Sequence, residues 1–222
     1  MPECDQLRTD VVGSLLRPAG LRETRAALEK GEIDTQAMRK AEDEAIAGAV
    51  RMQESVGLDV LTDGEYRRLN FQDSFGLAVE GYDAVASDLS AYQKRVEGAA
   101  PLQRWDIPKM GHTGTAVAHR RPVVEKLRLA RNIPLDEYRF LSSIAKKPGK
   151  VSLIGPDRIT QRFDYQASTK VYPTVDDFVA DVVAIERQII KSLVEAGCRY
   201  IHIDAPGMTA YVDPPSLDEM RR

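Results

Sequence analysis

The stretch Ala196–Gly207, AGCRYIHIDAPG, constrains the fold of this chain more than any other. Gly197 can close a preceding helix in the left-handed conformation, and the β-branched and aromatic residues after it read as a short buried strand. Side chains alternate along a strand, so Tyr200, His202 and Asp204 share one face while Ile201 and Ile203 share the other. Pro206 cannot donate to a ladder. The strand therefore ends near Asp204 and leaves a carboxylate at its carboxyl end, where α/β folds bind ligands.

The rest of the chain repeats this theme. Asp10–Ser14 is a short apolar run broken by Gly13 and reads as a first strand. Leu21–Lys30 is a helix closed by Gly31. Asp34 or Thr35 caps a second helix, whose Ala41, Ala45, Ala49, Met52 and Val56 recur every three or four residues until Gly57 stops it. Leu58–Glu65 then repeats glycine, strand and acid. Residues 66–133 form an insertion holding Trp105 and a segment, Lys109–Arg121, that reads as a hairpin. A helix over Pro134–Ile144 and a strand over Lys150–Ile154 lead to the turn Gly155-Pro156. Thr174 and Asp177 form a capping-box-like start, and Phe178, Val182, Ile185, Ile189 and Leu193 give the apolar stripe of a long helix. The tail, Tyr211–Arg222, is proline-rich, then charged, and is expected to carry no closing element. Strands alternating with helices predict four parallel strands with right-handed crossovers.

Composition excludes several functions. With 222 residues, 43% of them hydrophobic, the chain can bury a real core, and a formal charge of −3 offers no footprint for nucleic acid or an anionic membrane. There is no run of about 18 apolar residues and no signal-peptide pattern, so the cytoplasm is the expected compartment. Cys4 and Cys198 stand alone, without the spacing of a disulfide framework or a zinc site.

The residues able to carry chemistry gather at the strand ends: Ser14, Glu65, the Gly155-Pro156 turn, and His202 with Asp204. Two carboxylates converging from different strands suit recognition of an ammonium group or acid/base work. Each has a blander reading. Glu65 alone could be a solvated loop acid, and His202 reads as a hydrogen-bonded interior histidine rather than a metal ligand. His112 and His119 read as loop residues, and Ser14 lacks a nucleophile elbow. Arg17, Arg67, Arg68, Arg158 and Arg162 follow the strand ends and could attract an acidic substrate, although solvated charge is the usual explanation for any one of them.

Four segments, Val11–Pro18 (VVGSLLRP), Asp59–Arg68 (DVLTDGEYRR), Val151–Pro156 and Ile201–Pro206, together resemble the successive strand-end motifs of the cobalamin-independent methionine synthase family, in particular its short, single-barrel members. The resemblance implies a TIM (β/α)8 barrel of the methionine synthase/uroporphyrinogen decarboxylase-like kind, truncated here to about its first four strands. On this reading residues 1–222 are a single partial barrel domain with an insertion at 66–133. It also implies methyl transfer from a methylated folate to the zinc-bound thiolate of homocysteine. The family's homocysteine contacts carry over to Ser14 for the carboxylate and to Glu65 and Asp204 for the ammonium. Gly13, Arg17 and His202 are further substrate-binding candidates beside them. No residue of the chain is assigned as catalytic or as a metal ligand.

The chain also departs from the pattern. The family's zinc ligands, a His-x-Cys pair, a Glu and a further Cys, belong to later strands and are absent here. The pterin-stacking aromatic has no match where Gln161 or Arg162 would fall, and Ala205 replaces the acid that follows the strand aspartate. Methyl-folate as donor, homocysteine or another thiol as acceptor, and homodimerisation are the expected partnerships, with the chain read as a fragment, as a half-barrel that pairs its open edges, or as an open sheet protected by the insertion. The rival readings are a non-catalytic binding or oligomerising half-barrel, another thiol alkyl transferase, and a decarboxylase on a related barrel.

Overall fold

The computed structural model describes residues 9–68, 73–83 and 121–220. Its elements, in chain order, begin with α1 (Ala19–Glu29), α2 (Thr35–Ser55), α3 (Asp73–Ala78), β1 (Val79–Tyr82), β2 (Val123–Leu129) and α4 (Ile133–Ile144). They continue with β3 (Lys150–Ile154), α5 (Pro156–Gln161), α6 (Tyr165–Ser168), α7 (Val175–Glu195), β4 (Tyr200–Asp204), a 3-10 turn (Pro206–Tyr211) and α8 (Pro214–Met220). Trp105, His112, His119 and nearly all of the Lys109–Arg121 hairpin reading lie outside the described residues. Contacts group the chain into two compact units, one of residues 1–73, 134–152 and 191–202, the other of residues 74–133, 153–190 and 203–222. No described helix is long and apolar enough to cross a membrane.

In the first unit, the stripe expected of α2 faces a core only in part: Ala49 is buried and Ala41 and Ala45 pack beside it, whereas Met52 and Val56 are exposed. Leu21 of α1, Met38, Ile46, Ala49 and Val50 of α2, Leu61, Tyr66 and Leu141 of α4 pack together. Asp34 caps α2, its carboxylate accepting from the Ala37 N–H at 2.7 Å. Gln53 projects from the same helix and is fully buried. Its amide donates to the Thr62 carbonyl at 2.8 Å and accepts from the Thr62 N–H at 3.0 Å, which fastens the following turn to the helix.

Two strand expectations need correction here. Asp10–Ser14 forms no strand; Gly13 takes φ +76°, breaks the extended run and leaves Val12 exposed. Single backbone bonds flank this segment, Asp59 N–H to the Thr9 carbonyl and Leu15 N–H to the Gly64 carbonyl, each at 3.2 Å. Leu58–Glu65 shrinks to one parallel bridge between Leu61 and Gly149, because the chain turns away immediately after Thr62.

In the second unit β1 pairs antiparallel with β2; both lie inside the expected 66–133 insertion and are additional to the four strands expected. The four-residue β1, VEGY, is too short and too glycine-broken to be read from sequence. The core here is aromatic. Phe163 stacks on Phe178 with centroids 3.9 Å apart, and Tyr172 meets Phe178 edge-on at 5.4 Å. The fully buried Tyr172 hydroxyl accepts from the Leu127 N–H and donates to the Asp181 carboxylate, both at 2.8 Å. Thr174 starts α7 as expected, accepting from the Asp177 N–H at 3.1 Å, and the whole apolar stripe from Phe178 to Leu193 is buried.

Strands β3 and β4 have the bounds expected from sequence and form a two-stranded sheet. Gly155 follows β3 and donates to the Asp204 carbonyl at 2.8 Å. A Cβ at Gly155 would lie 2.8 Å from the Asp157 carboxylate and 3.0 Å from Ala205, so a side chain here would have to displace that carboxylate and crowd Ala205. The tail also departs from expectation. Asp213 caps α8 by accepting from the Ser216 N–H at 3.0 Å, and Pro214 and Pro215 sit in the first turn, where a missing N–H costs nothing.

Gln53→Ala strips both backbone groups of Thr62 of their buried partners. We expect a loss of about 3 kcal/mol, the cost of orphaning two buried polar groups, read from urea unfolding curves of the variant and the parent.

Candidate functional site

The loop Thr62–Arg68 is built to hold one carboxylate. Gly64 and Glu65 both take positive φ, +71° and +56°, and Glu65 is the one non-glycine residue to do so among those described. For a residue with a Cβ this conformation is strained by roughly 1–2 kcal/mol and persists only where the surroundings enforce it. Here they do. The Glu65 N–H donates to Asp63 Oδ1 at 2.9 Å, the Gly64 N–H donates to Thr62 Oγ1 at 3.1 Å, and Arg17 Nη2 donates to the carbonyls of Glu65, at 3.2 Å, and Arg68.

The Glu65 side chain is buried, and two groups fix it. The Ser14 hydroxyl donates to Oε2 at 2.6 Å, and Arg68 Nη1 lies 3.7 Å from Oε1. Arg68 is itself 4% exposed and is gripped from below. Its Nε and Nη2 donate to the two oxygens of Glu137 on α4, at 3.0 and 2.6 Å, and Nη2 also reaches the Ser152 carbonyl on β3 at 2.9 Å. Burial alone would push the guanidinium toward neutrality, but Glu137 outweighs it, with Asp63 and Glu65 adding to the effect, so Arg68 is held charged more firmly than usual.

Asp63 lies beneath Glu65, and its environment is the reverse. Burial and the Glu137 and Glu65 charges outweigh Arg68 and lift its carboxyl to about 6. Its Oδ2 is buried without a hydrogen-bond partner, and Asp63 lines a cavity of about 10 Å³, the size of one water, together with Thr62, Glu65, Arg68, Glu137 and Lys150. Lys150 in turn donates to Asp10 Oδ2 at 3.0 Å and to the Val11 carbonyl. Burial works to raise the Asp10 carboxyl, but hydrogen bonds from Lys150 and Tyr200 and the nearby Lys150 and His202 charges bring it below the ordinary value.

The structure thus joins Ser14, Glu65 and Arg17 directly, and it puts half-buried His202 within electrostatic reach of Asp10 in the same unit. Gly13 adds no contact; a Cβ there would meet open space. Arg17 and Arg68 face the loop rather than a free anion site. Asp204 belongs to the second unit. It is half-buried, its carbonyl accepts from Gly155, and it shares an electrostatic neighbourhood with Asp157 and Arg158. Burial, with a contribution from the Asp204 charge, raises the Asp157 carboxyl despite Arg158. On α7, burial and the Asp157 charge lift Glu186 to about 7.

Asp63, Glu137 and Lys150 escaped the reading from sequence. A signal existed for Glu137, which falls with Pro134, Tyr138 and Leu141 on the buried face of α4, where an acid must find a cation. Asp63 carries the shorter signal of an Asx-turn residue before glycine. Among the described residues no group of three or more His, Cys, Asp or Glu could hold a metal. Cys198 is buried, burial pushes its thiol up, and its sulfur lies 3.5 Å from the Tyr200 carbonyl. These residues do not fit zinc.

Comparison with known proteins finds a matching family and relatives of this chain. The family profile described as "Cobalamin-independent synthase, Catalytic domain" matches residues 7–213. The uncharacterized protein YxjH of Bacillus subtilis (strain 168) is 28% identical over 215 residues, covering 96% of this chain and 52% of that protein. A methionine synthase of Saccharolobus solfataricus is 28% identical over 209 residues, covering 94% and 55%. The chain spans about half the length of the curated relatives it matches. In fold it resembles a putative vitamin-B12-independent methionine synthase from Listeria monocytogenes, with TM-score 0.66, 22% identity and coverage of 96% of this chain and 58% of that one. It also resembles a B12-independent methionine synthase from Shewanella sp. W3-18-1 solved with selenomethionine, with TM-score 0.59, 18% identity and coverage of 79% and 45%.

The raised Glu186 carboxyl makes a signed prediction. The folded chain holds a proton there that the unfolded chain, with an ordinary value near 4.5, gives up earlier, so stability falls as pH rises from about 4.5 to 7. Glu186→Gln removes that loss. The variant should gain on the order of 2 kcal/mol over the parent at pH 8 and little at pH 4.5, measured by urea unfolding at both.

Proposed function

Because the chain belongs to the cobalamin-independent synthase catalytic-domain family, we propose that it is the amino-acid-binding, amino-terminal half of a methionine-synthase-type S-methyltransferase barrel, and that Glu65 receives the ammonium of homocysteine. The observation that carries this reading is the loop itself. A strained backbone, a serine hydroxyl and a buried arginine all act to hold one carboxylate, Glu65, in one orientation. A cation is the natural complement, because the surrounding carboxylates outnumber the arginine.

Within this reading Ser14, which now donates to Glu65, turns its hydroxyl to the substrate carboxylate, as the family resemblance implies. Arg17 and the Arg68–Glu137 pair keep the loop in place while that happens. The resemblance also assigns Asp204 to the ammonium. Its contribution is read separately, through Asp204→Asn. The truncated barrel and the treatment of residues 1–222 as one partial domain are parts of the same proposal.

Zinc would make the homocysteine thiol a thiolate at neutral pH. The family resemblance assigns the zinc ligands to later strands, so methyl transfer is expected of an assembly that contains them, and methyl-folate as donor belongs to that complete assembly. Binding of the amino acid does not depend on the metal.

Titration calorimetry of the 222-residue chain with L-homocysteine tests the reading. The parent should bind, and Glu65→Gln should weaken binding by about 10- to 100-fold, the worth of one charge-assisted hydrogen bond. Equal affinity of the two, or no heat with either, contradicts it.

A further inference from the structure

The charges packed under Glu65 do not balance. Asp63, Glu65 and Glu137 surround a single guanidinium, that of Arg68, with Glu137 bound to it twice and Glu65 at 3.7 Å. Asp63 accepts from the Glu65 N–H through one oxygen, its other oxygen is buried without a hydrogen-bond partner, and the residue lines the 10 Å³ cavity. Glu65 and Arg68 come from its own loop and Glu137 from α4, and Lys150 of β3 lines the cavity but is paired with Asp10. Arg17 is committed to the loop carbonyls of Glu65 and Arg68. Three carboxylates against one committed cation leave a formal surplus of two negative charges in a buried site. Such a surplus is relieved by a proton or by a second cation.

We propose that Asp63 is the positioning residue of the Glu65 site and carries a proton that offsets one of the two surplus charges, protonated while Arg68 is the only cation paired with Glu65 and Glu137 and ionised once an ammonium reaches Glu65. The exchange is balanced. The neutral Asp63 carboxyl gives its proton to solvent as the ammonium arrives, so one positive charge replaces another and no covalent bond other than O–H changes. In both states Oδ1 goes on accepting from the Glu65 N–H, which is what holds Glu65 in its left-handed turn. The high value near 6 for this carboxyl agrees with the geometry. The ammonium half of the proposal rests on the functional reading of Glu65, whereas the proton on Asp63 in the free chain does not.

Two measurements on the full chain separate these. In the first, the Glu65 amide is followed by 15N–1H NMR through a pH titration without ligand. Since this N–H donates to Asp63, its shift should titrate with a midpoint near 6, and the step should vanish in Asp63→Asn, which keeps the acceptor oxygen but cannot ionise. Glu137→Gln, which removes one like charge and frees Arg68 toward Asp63, should lower the midpoint and serves if Asp63→Asn does not fold. A midpoint near 4, or an unchanged step in Asp63→Asn, overturns the assignment.

In the second, L-homocysteine binding is measured by calorimetry at pH 6 in two buffers of different ionisation enthalpy. The parent should release about half a proton per ligand bound, the fraction set by a carboxyl near its midpoint. Asp63→Asn should bind without that release. Equal release by both overturns the coupling. Absence of binding by the parent, with the NMR step intact, defeats the functional reading of Glu65 and leaves the proton assignment standing.

Discussion

The guanidinium of Arg68 is the contact on which the first unit depends. Through Glu137 it holds α4, through the Ser152 carbonyl it holds β3, and through Glu65 it holds the loop that bears the candidate site. Burying an ion pair is rarely a net gain over apolar packing, because desolvation of both ions offsets most of their attraction. Its value lies elsewhere. A bidentate pair at 2.6–3.0 Å fixes direction as well as distance, and a wrong rotamer of Glu65 would leave a buried charge without its partner.

That rigidity matches the backbone. Glu65 takes a conformation that non-glycine residues avoid, and the structure meets the cost with hydrogen bonds from four directions: its own N–H to Asp63, its carbonyl from Arg17, its carboxylate from Ser14, and its carbonyl again from the Arg68 N–H at 3.1 Å. Strain of this sort persists when a precise orientation is worth more than the energy it costs. A carboxylate aimed in advance loses less entropy on meeting a cation, which is what supports the proposed reading of Glu65.

Local signals were legible in the sequence, and long-range ones were not. The bounds of Lys150–Ile154 and Tyr200–Asp204, the Asp34 cap and the Thr174 start all follow from neighbours within a few residues. Ser14 and Glu65, 51 positions apart, could be paired only through the strand-end pattern and the family resemblance, and they do meet. Glu137 and Lys150 stayed hidden because their partners, Arg68 and Asp10, lie 69 and 140 positions away, and nothing local announces such a pairing. The first expected strand failed for a related reason: periodicity shows that Asp10–Ser14 can extend, but not whether a neighbour offers it a full ladder, and Gly13 ends the matter at φ +76°.

The account reduces to one claim, that a buried ionic knot around Arg68 presents Glu65 to an amino-acid ammonium. A crystal structure of the chain grown with L-homocysteine tests it most directly. The account predicts the ammonium nitrogen about 3 Å from a Glu65 carboxylate oxygen, with Arg68 still bound through both nitrogens to Glu137. An amino acid bound with its nitrogen elsewhere, or a Glu65 turned away with the Arg68–Glu137 pair broken, would contradict it.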